Sequence, residues 1–163
     1  MARDGEAIHR LITQSPPLDV NSVYSYYLLS HHHADTCMVA EFQGEIVGFI
    51  SAYFTPSEPG TLFIWQVAVD EKMRGQKLAS MMLSCLLSRP ECRHASTLTA
   101  TVNPSNKASR GLFEKYCQSI GSEITESEFI SESDFGEQSH EAEILLSIDL
   151  NPVHEQEKKY ANF

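Results

Sequence analysis

WQVAVDEKMRGQKLASMMLSCLL, residues 65–87, is the stretch whose reading decides the fold. An apolar run ends at Val69 and a short charged turn follows. From Gly75 to Ser88, residues Leu78, Met81, Met82, Cys85 and Leu86 then recur at helical spacing, and Pro90 lies just past the end. The unit is therefore strand, turn, helix. The first amides of a helix have no partner within it, and that end carries the positive pole of the helix dipole, so it attracts phosphate. Lys72, Arg74 and Lys77 crowd this end. Cations are poor partners for a helix start, a placement that makes sense if an anion docks there. A plain strand-turn-helix with a solvated basic turn would carry the same charges.

Working outward, residues 61–69 (TLFIWQVAV) are apolar throughout, as expected of a central strand covered on both faces. Residues 36–42 and 46–54 alternate like strands around a Gln43-Gly44 turn. Residues 5–13 place Ile8, Leu11 and Ile12 on one helical face before Ser15-Pro16-Pro17 breaks it. A second helix starts at Asn21 or Ser22, both good caps, with Val23, Tyr27 and Leu28 on its buried face. Downstream, 95–102 reads as a strand, Pro104-Ser105 opens a helix to about Ser119, and 123–130 and 143–150 read as strands flanking a polar loop. The order is helix, helix, three strands, helix, strand, helix, two strands. That order packs as an α/β mixed sheet with helices on both faces. No repeat or long linker divides the chain, so one domain over residues 1–152 and a polar tail over 153–163 are expected.

The chain has 163 residues and a net charge of −10, which argues against nucleic acid, since phosphate backbones need a basic face. Of the twelve Lys and Arg, eight lie between Lys72 and Lys115, flanked by acidic stretches. That pattern suits a polyanion on the middle and a cation held by the flanks. No apolar run approaches the roughly 20 residues of a membrane span, and no signal peptide is visible. Cys37, Cys85, Cys92 and Cys117 form no C-x-x-C pair, as in a reducing cytoplasm. His31-His32-His33 with Cys37 is not read as a metal site, because three adjacent histidines on a helix cannot face one ion.

V-A-V-D followed by R-G-Q-K-L-A, residues 67–79, resembles the acetyl-CoA signature of the GNAT superfamily of N-acetyltransferases, R/Q-x-x-G-x-G/A. TVNPSNKASRGLFEK, residues 101–115, resembles the same family's strand, N-x-x-N-x-A-x-x-x-L-Y/F and helix. The resemblance implies that Arg74, Gly75, Gln76, Lys77, Leu78 and Ala79 hold the pyrophosphate of acetyl-CoA. It also implies two central strands that splay, so that the backbone of Val67, Ala68 and Val69 pairs with the pantetheine arm, and that Asn106 contacts cofactor or substrate. Two departures stand out. Lys77 occupies the motif's central glycine, so it must sit in ordinary helical geometry or turn its side chain away. Phe113 replaces the tyrosine that often serves as acid for the leaving thiolate; Tyr116, one turn on, has no evident claim to that role.

LDVNSVYSYYLL (18–29), FIWQVAVD (63–70) and TVNPSNKASRGLF (101–113) together resemble the L-2,4-diaminobutyrate acetyltransferases of ectoine biosynthesis. The resemblance implies acetylation of the γ-amino group, with Asp19, Tyr24, Trp65, Asn106, His140 and Glu141 around the substrate. Such a diamine wants a carboxylate, and Asp19 and the His140–Glu143 segment supply acid near two loop ends that would meet over the acetyl group. An amine with a pKa of about 10.4 must lose a proton before attack, at roughly 4–5 kcal/mol at pH 7. Glu141, or His140 through a water, is the expected base. No metal is required. The resemblance further implies a cytoplasmic homodimer and a first edge strand that this chain lacks or has truncated. The alternatives are an acetyltransferase for another small diamine or amino acid, or a non-catalytic CoA-binding module.

Overall fold

Hydrophobic period and Pro/Gly punctuation translate into the elements in the order they were read. The computed structural model describes residues 4–137 and 140–150. Its helices are α1 (Gly5–Thr13), α2 (Val23–His32), α3 (Leu78–Leu87) and α4 (Lys107–Ile120). Its strands are β1 (Met38–Phe42), β2 (Glu45–Phe54), β3 (Thr61–Val69), β4 (Thr97–Val102), β5 (Ile124–Ile130) and β6 (Glu143–Asp149), in sheet order β1-β2-β3-β4-β6-β5. Short 3-10 turns occupy Glu71–Met73 and Glu132–Phe135. The α/β class stands. Among the described residues no strand precedes α1, and the expected tail over 153–163 lies outside them.

The chain groups into two compact units, one from Met1–Phe54 and Ile64–His94, the other from Thr55–Phe63 and Ala95–Phe163. In the first, Gln43 (φ 53°) and Gly44 (φ 82°) turn β1 back on β2 as an antiparallel hairpin with a bulge at Ala40/Glu41. Ile8, Leu11 and Ile12 of α1 pack with Tyr26, Leu29, Cys37, Phe49 and Ala68. Each fully buried side chain of this size stabilises by about 1.5–3 kcal/mol, more than the ~1 kcal/mol of the Ser22 cap on α2. Packing therefore sets how each helix is rotated.

That rotation overturns the expected face of α2 and selects one side of the α3 pattern. On α2 the buried residues are Tyr26, Leu29 and Ser30, while Val23 and Leu28 are exposed and Tyr27 is half-buried. On α3 they are Met82, Leu83 and Leu86, with Met81 and Cys85 exposed. Both helices are apolar on nearly every side, so periodicity could not choose a face. For α3 the choice is made by β2: a Cβ at Gly48 would lie 2.6 Å from Met82 Sδ, so Gly48 is the slot that receives Met82. β3 is also not covered evenly. Leu62, Ile64, Gln66 and Ala68 are buried, but Trp65 between them is 41% exposed.

In the second unit β6 pairs antiparallel with both β4 (Thr97↔Asp149 to Val102↔Ile144) and β5, the latter with a register shift at Glu128/Ile130. Its buried side chains include Leu98, Ala100, Val102, Leu112, Phe113, Leu146 and Ile148. No helix among the described residues is long and apolar enough to cross a membrane.

Candidate active site

The first unit builds a fastened turn with an open end. Asp70 N donates to Val47 O at 2.8 Å, so β3 is held to its last residue. Asp70 Oδ1 then accepts from Lys72 N at 2.8 Å and opens the 3-10 turn, and Arg74 Nε folds back to Val69 O at 3.3 Å. Beyond this point Gly75 takes φ +77° and Lys77 φ +62°. A right-handed helix cannot include left-handed residues, so α3 begins at Leu78 and not, as expected, at Gly75. Lys77 resolves its two options in a third way: it keeps the glycine's backbone geometry with a lysine side chain, at a cost of about 1–2 kcal/mol.

Among the described residues the amides from Gly75 to Ser80 make no hydrogen bond of normal length and angle to a protein acceptor, and Lys77 offers no side-chain cap to α3. A Cβ at Gly75 would meet nothing within 4 Å. Residues 74–77 are exposed. This run of amides at a helix start, with Lys72 and Lys77 beside it, fits a pyrophosphate. Two arginines of the basic block are engaged by other parts of the protein. Arg89 Nη1 donates to the carbonyls of Ala34, Asp35 and Cys37 at 3.2, 3.2 and 2.7 Å, tying down the α2–β1 connection. Arg110 is engaged by the Glu126 carboxylate through both guanidinium nitrogens.

Elsewhere in the first unit, the Asp19 carbonyl accepts from Gln66 Nε2 at 2.7 Å. Tyr24 is 69% exposed, so it is not a packing aromatic of the core. Val67 and Val69 are half-buried, and the Ala68 side chain belongs to the core cluster.

The second unit closes its equivalent turn. Asn106 Oδ1 accepts from Ser109 N at 3.1 Å and caps α4, leaving its side-chain NH2 as the group for any ligand. Ser105 N donates to Glu141 Oε2 at 3.0 Å. His140 stacks on Phe135 with ring centroids 4.0 Å apart, and its Nδ1 lies 2.7 Å from Glu141 O. A carbonyl only accepts, so Nδ1 carries the proton of the neutral ring and Nε2 is its basic nitrogen. Glu141 and Asn106 are thus neighbours at one helix start, and His140 is oriented by the residue that follows it.

Burial pushes the Tyr116 hydroxyl up to about 12. Against a thiolate of ordinary thiol basicity near 8.5, such a hydroxyl is a poor proton donor, which agrees with giving it no role. Burial also pushes the Cys37 thiol up to about 11 and raises those of Cys92 and Cys117, so none is poised as a nucleophile.

Residues 6–117 match the model of the acetyltransferase (GNAT) family. The chain belongs to this family. Among GNAT proteins, it is 48% identical to an L-2,4-diaminobutyric acid acetyltransferase of Bordetella parapertussis, over 89% of this chain and 78% of that one. It is 44% identical to the protein of the same name from Vibrio cholerae, over 90% and 85%. The diaminobutyrate acetyltransferase EctA of Paenibacillus lautus, solved with L-2,4-diaminobutyric acid and coenzyme A, superposes with a TM-score of 0.89 at 42% identity, covering 91% of this chain and 90% of that one.

Two polar groups of this GNAT chain escaped the sequence reading. Gln66 Oε1 and Asn103 Oδ1 are buried and accept no hydrogen bond among the described residues. Gln66 had a signal, as the lone amide in an apolar strand. Asn103 stands first in the N-x-x-N run, whose second asparagine, Asn106, carries the expected contact.

Proposed function

We propose that this chain transfers the acetyl group of acetyl-CoA to the γ-amino group of L-2,4-diaminobutyrate. The product, N-γ-acetyl-diaminobutyrate, is the precursor of the compatible solute ectoine. The observation that carries the proposal is the likeness, across nine-tenths of both chains, to an enzyme solved with that amine and coenzyme A. The open amide run of the α3 turn supports it independently, since it suits the cofactor's phosphates.

Bound acetyl-CoA supplies an acetyl group activated as a thioester. In this reading the amides of Gly75, Gln76, Lys77, Leu78 and Ala79 hold the pyrophosphate, with Arg74 bracing the turn against Val69 O. The backbone of Val67, Ala68 and Val69 pairs with the pantetheine arm. The family resemblance assigns Asp19, Tyr24, Trp65, Asn106, His140 and Glu141 to the amine. His140 is the better base of the acidic segment. Its Nε2 is the basic nitrogen, whereas Glu141 accepts from Ser105 N. Removing one ammonium proton leaves a lone pair that attacks the thioester carbonyl and expels the CoA thiolate, which needs no dedicated acid. The free thiols of Cys37, Cys85, Cys92 and Cys117 suit a cytoplasmic location, and the homodimer rests on the family resemblance.

Thiol release from acetyl-CoA, measured with 2,4-diaminobutyrate, putrescine and lysine in parallel, tests the proposal. Absence of release with every one of the three amines would end the enzyme reading, and release with putrescine or lysine but not diaminobutyrate would end the choice of substrate. His140→Gln is expected to lower kcat by about 10²–10⁴-fold with little change in the amine's KM. An unchanged kcat removes it as the base.

A further inference from the structure

We propose that Gln66 reads the second, non-reacting ammonium of the amine substrate, an inference that rests on the diamine reading above. Gln66 sits on the buried face of β3 between Ile64 and Ala68 and is itself only 4% exposed. Its Nε2 donates to the Asp19 carbonyl at 2.7 Å. Because a carbonyl cannot donate, that bond fixes which end of the amide is which. The remaining atom, Oε1, is a buried acceptor that receives no hydrogen bond among the described residues. Burying such an oxygen without a donor is unfavourable, and an arriving N–H removes the penalty.

The surroundings hold this oxygen still. Gln66 N donates at 3.1 Å to the hydroxyl of Ser51, a fully buried residue of β2. The loop that Gln66 grips is pinned again two residues on, where Asn21 N donates to the hydroxyl of buried Tyr26 at 3.2 Å. Between the two pins Val20 is 51% exposed, so the acceptor lies beneath a fixed loop at the protein surface. An amide oxygen can only accept, so it matches an N–H donor, and a charged donor most strongly.

The chemistry selects which ammonium. An acceptor bonded to an ammonium favours its charged form. That would hinder the amine that must lose a proton to attack, and it suits the amine that does not react. In 2,4-diaminobutyrate acetylated at the γ position, the spectator is the α-ammonium. 4-Aminobutyrate has the same chain and reacting amine but lacks it.

The test compares kcat/KM for these two amines in the wild type and in Gln66→Met, which keeps the length and volume and removes the acceptor. The expected result is a roughly tenfold or greater loss for diaminobutyrate, expressed in KM, as for one hydrogen bond to a charged group. Turnover of 4-aminobutyrate and the KM for acetyl-CoA should stay within about twofold. Equal losses on both amines, or a matching rise in the acetyl-CoA KM, would make Gln66 only a strut of the Asp19 loop and overturn the proposal. Should the variant misfold, the wild type still decides by NMR. The Gln66 side-chain amide resonances should shift when diaminobutyrate is added and not with 4-aminobutyrate, and no such difference overturns the proposal. A wild type that fails to acetylate diaminobutyrate sinks the substrate reading instead, while the titration still judges Gln66 on binding.

Discussion

The turn before α3 and the turn before α4 are the same local device, a strand running into a helix, finished in opposite ways. Before α4 the protein satisfies its own amides: Asn106 caps Ser109 N, and Glu141 reaches back to Ser105 N. Before α3 it supplies no side-chain cap, inserts two left-handed residues, and gives the amides from Gly75 to Ser80 no well-formed hydrogen bond to a protein acceptor among the described residues. Helix-start amides are satisfied by side chains, water or ligands. A chain that caps one start and leaves the other without a cap, with lysines beside it, offers at the second the local chemistry that an anion needs. The difference is informative because both turns come from one sequence, so no general laxity in capping accounts for it.

The largest expected effect comes from closing the open turn sterically. Gly75→Val puts a β-branched side chain at φ +77°. Nothing lies within 4 Å of its Cβ, so the cost is backbone strain and a displaced amide run, not a clash. The KM for acetyl-CoA should rise about 10–100-fold, as expected when a binding group moves by an ångström. The amine's KM should hardly change. A rise shared by both substrates would mean the turn is only structural. The capped turn predicts the reverse pattern. Glu141→Ala removes the acceptor of Ser105 N and should lower stability by about 1 kcal/mol, read as a shift in Tm. Its kcat should stay within a few-fold of wild type, because His140 carries the proton. A collapse of kcat at unchanged Tm would transfer the base role to Glu141.

The two turns were not equally legible. The open one announces itself locally, through Lys72, Arg74 and Lys77 at a helix start and the R-x-x-x-x-A frame. The closed one depends on Glu141, which meets Ser105 across 36 residues, and no local pattern encodes such a partner. Arg89 shows the same limit. It counts as part of a basic block until its guanidinium is found on carbonyls more than 50 residues away. Element order was readable because proline, glycine and the period of apolar residues punctuate it; β3 was readable to the residue, and Ser22 and the Gln43-Gly44 turn did as expected. The buried faces of α2 and α3 were not, since VYSYYLLSHH and LASMMLSCLL are apolar nearly all round, and the slot at Gly48 that orients Met82 comes from another element. The start of α3 failed for a related reason: Gly75, Gln76 and Lys77 carry no apolar side chain that would mark the boundary, and only the sign of φ sets it.

The smallest effect is the one that separates amides from charge in the open turn. Lys77→Gly restores the family's glycine at φ +62°. Relief of the left-handed penalty, offset by the greater freedom of glycine in the unfolded chain, should stabilise by about 0.5–1 kcal/mol. In a chain of this size that is a Tm rise of about 1–4 °C. If the backbone amides alone bound the phosphates, the variant would then hold acetyl-CoA as well as the wild type or better, and nothing would oppose glycine here. If the ammonium contributes, the variant becomes more stable and yet binds acetyl-CoA more weakly, and its KM grows less sensitive to salt, because an exposed charge pair is screened and an amide contact much less so. Opposite movements of Tm and acetyl-CoA affinity would therefore identify Lys77 as strain kept for binding. Parallel movements would reduce it to an accident of sequence at an otherwise sufficient turn.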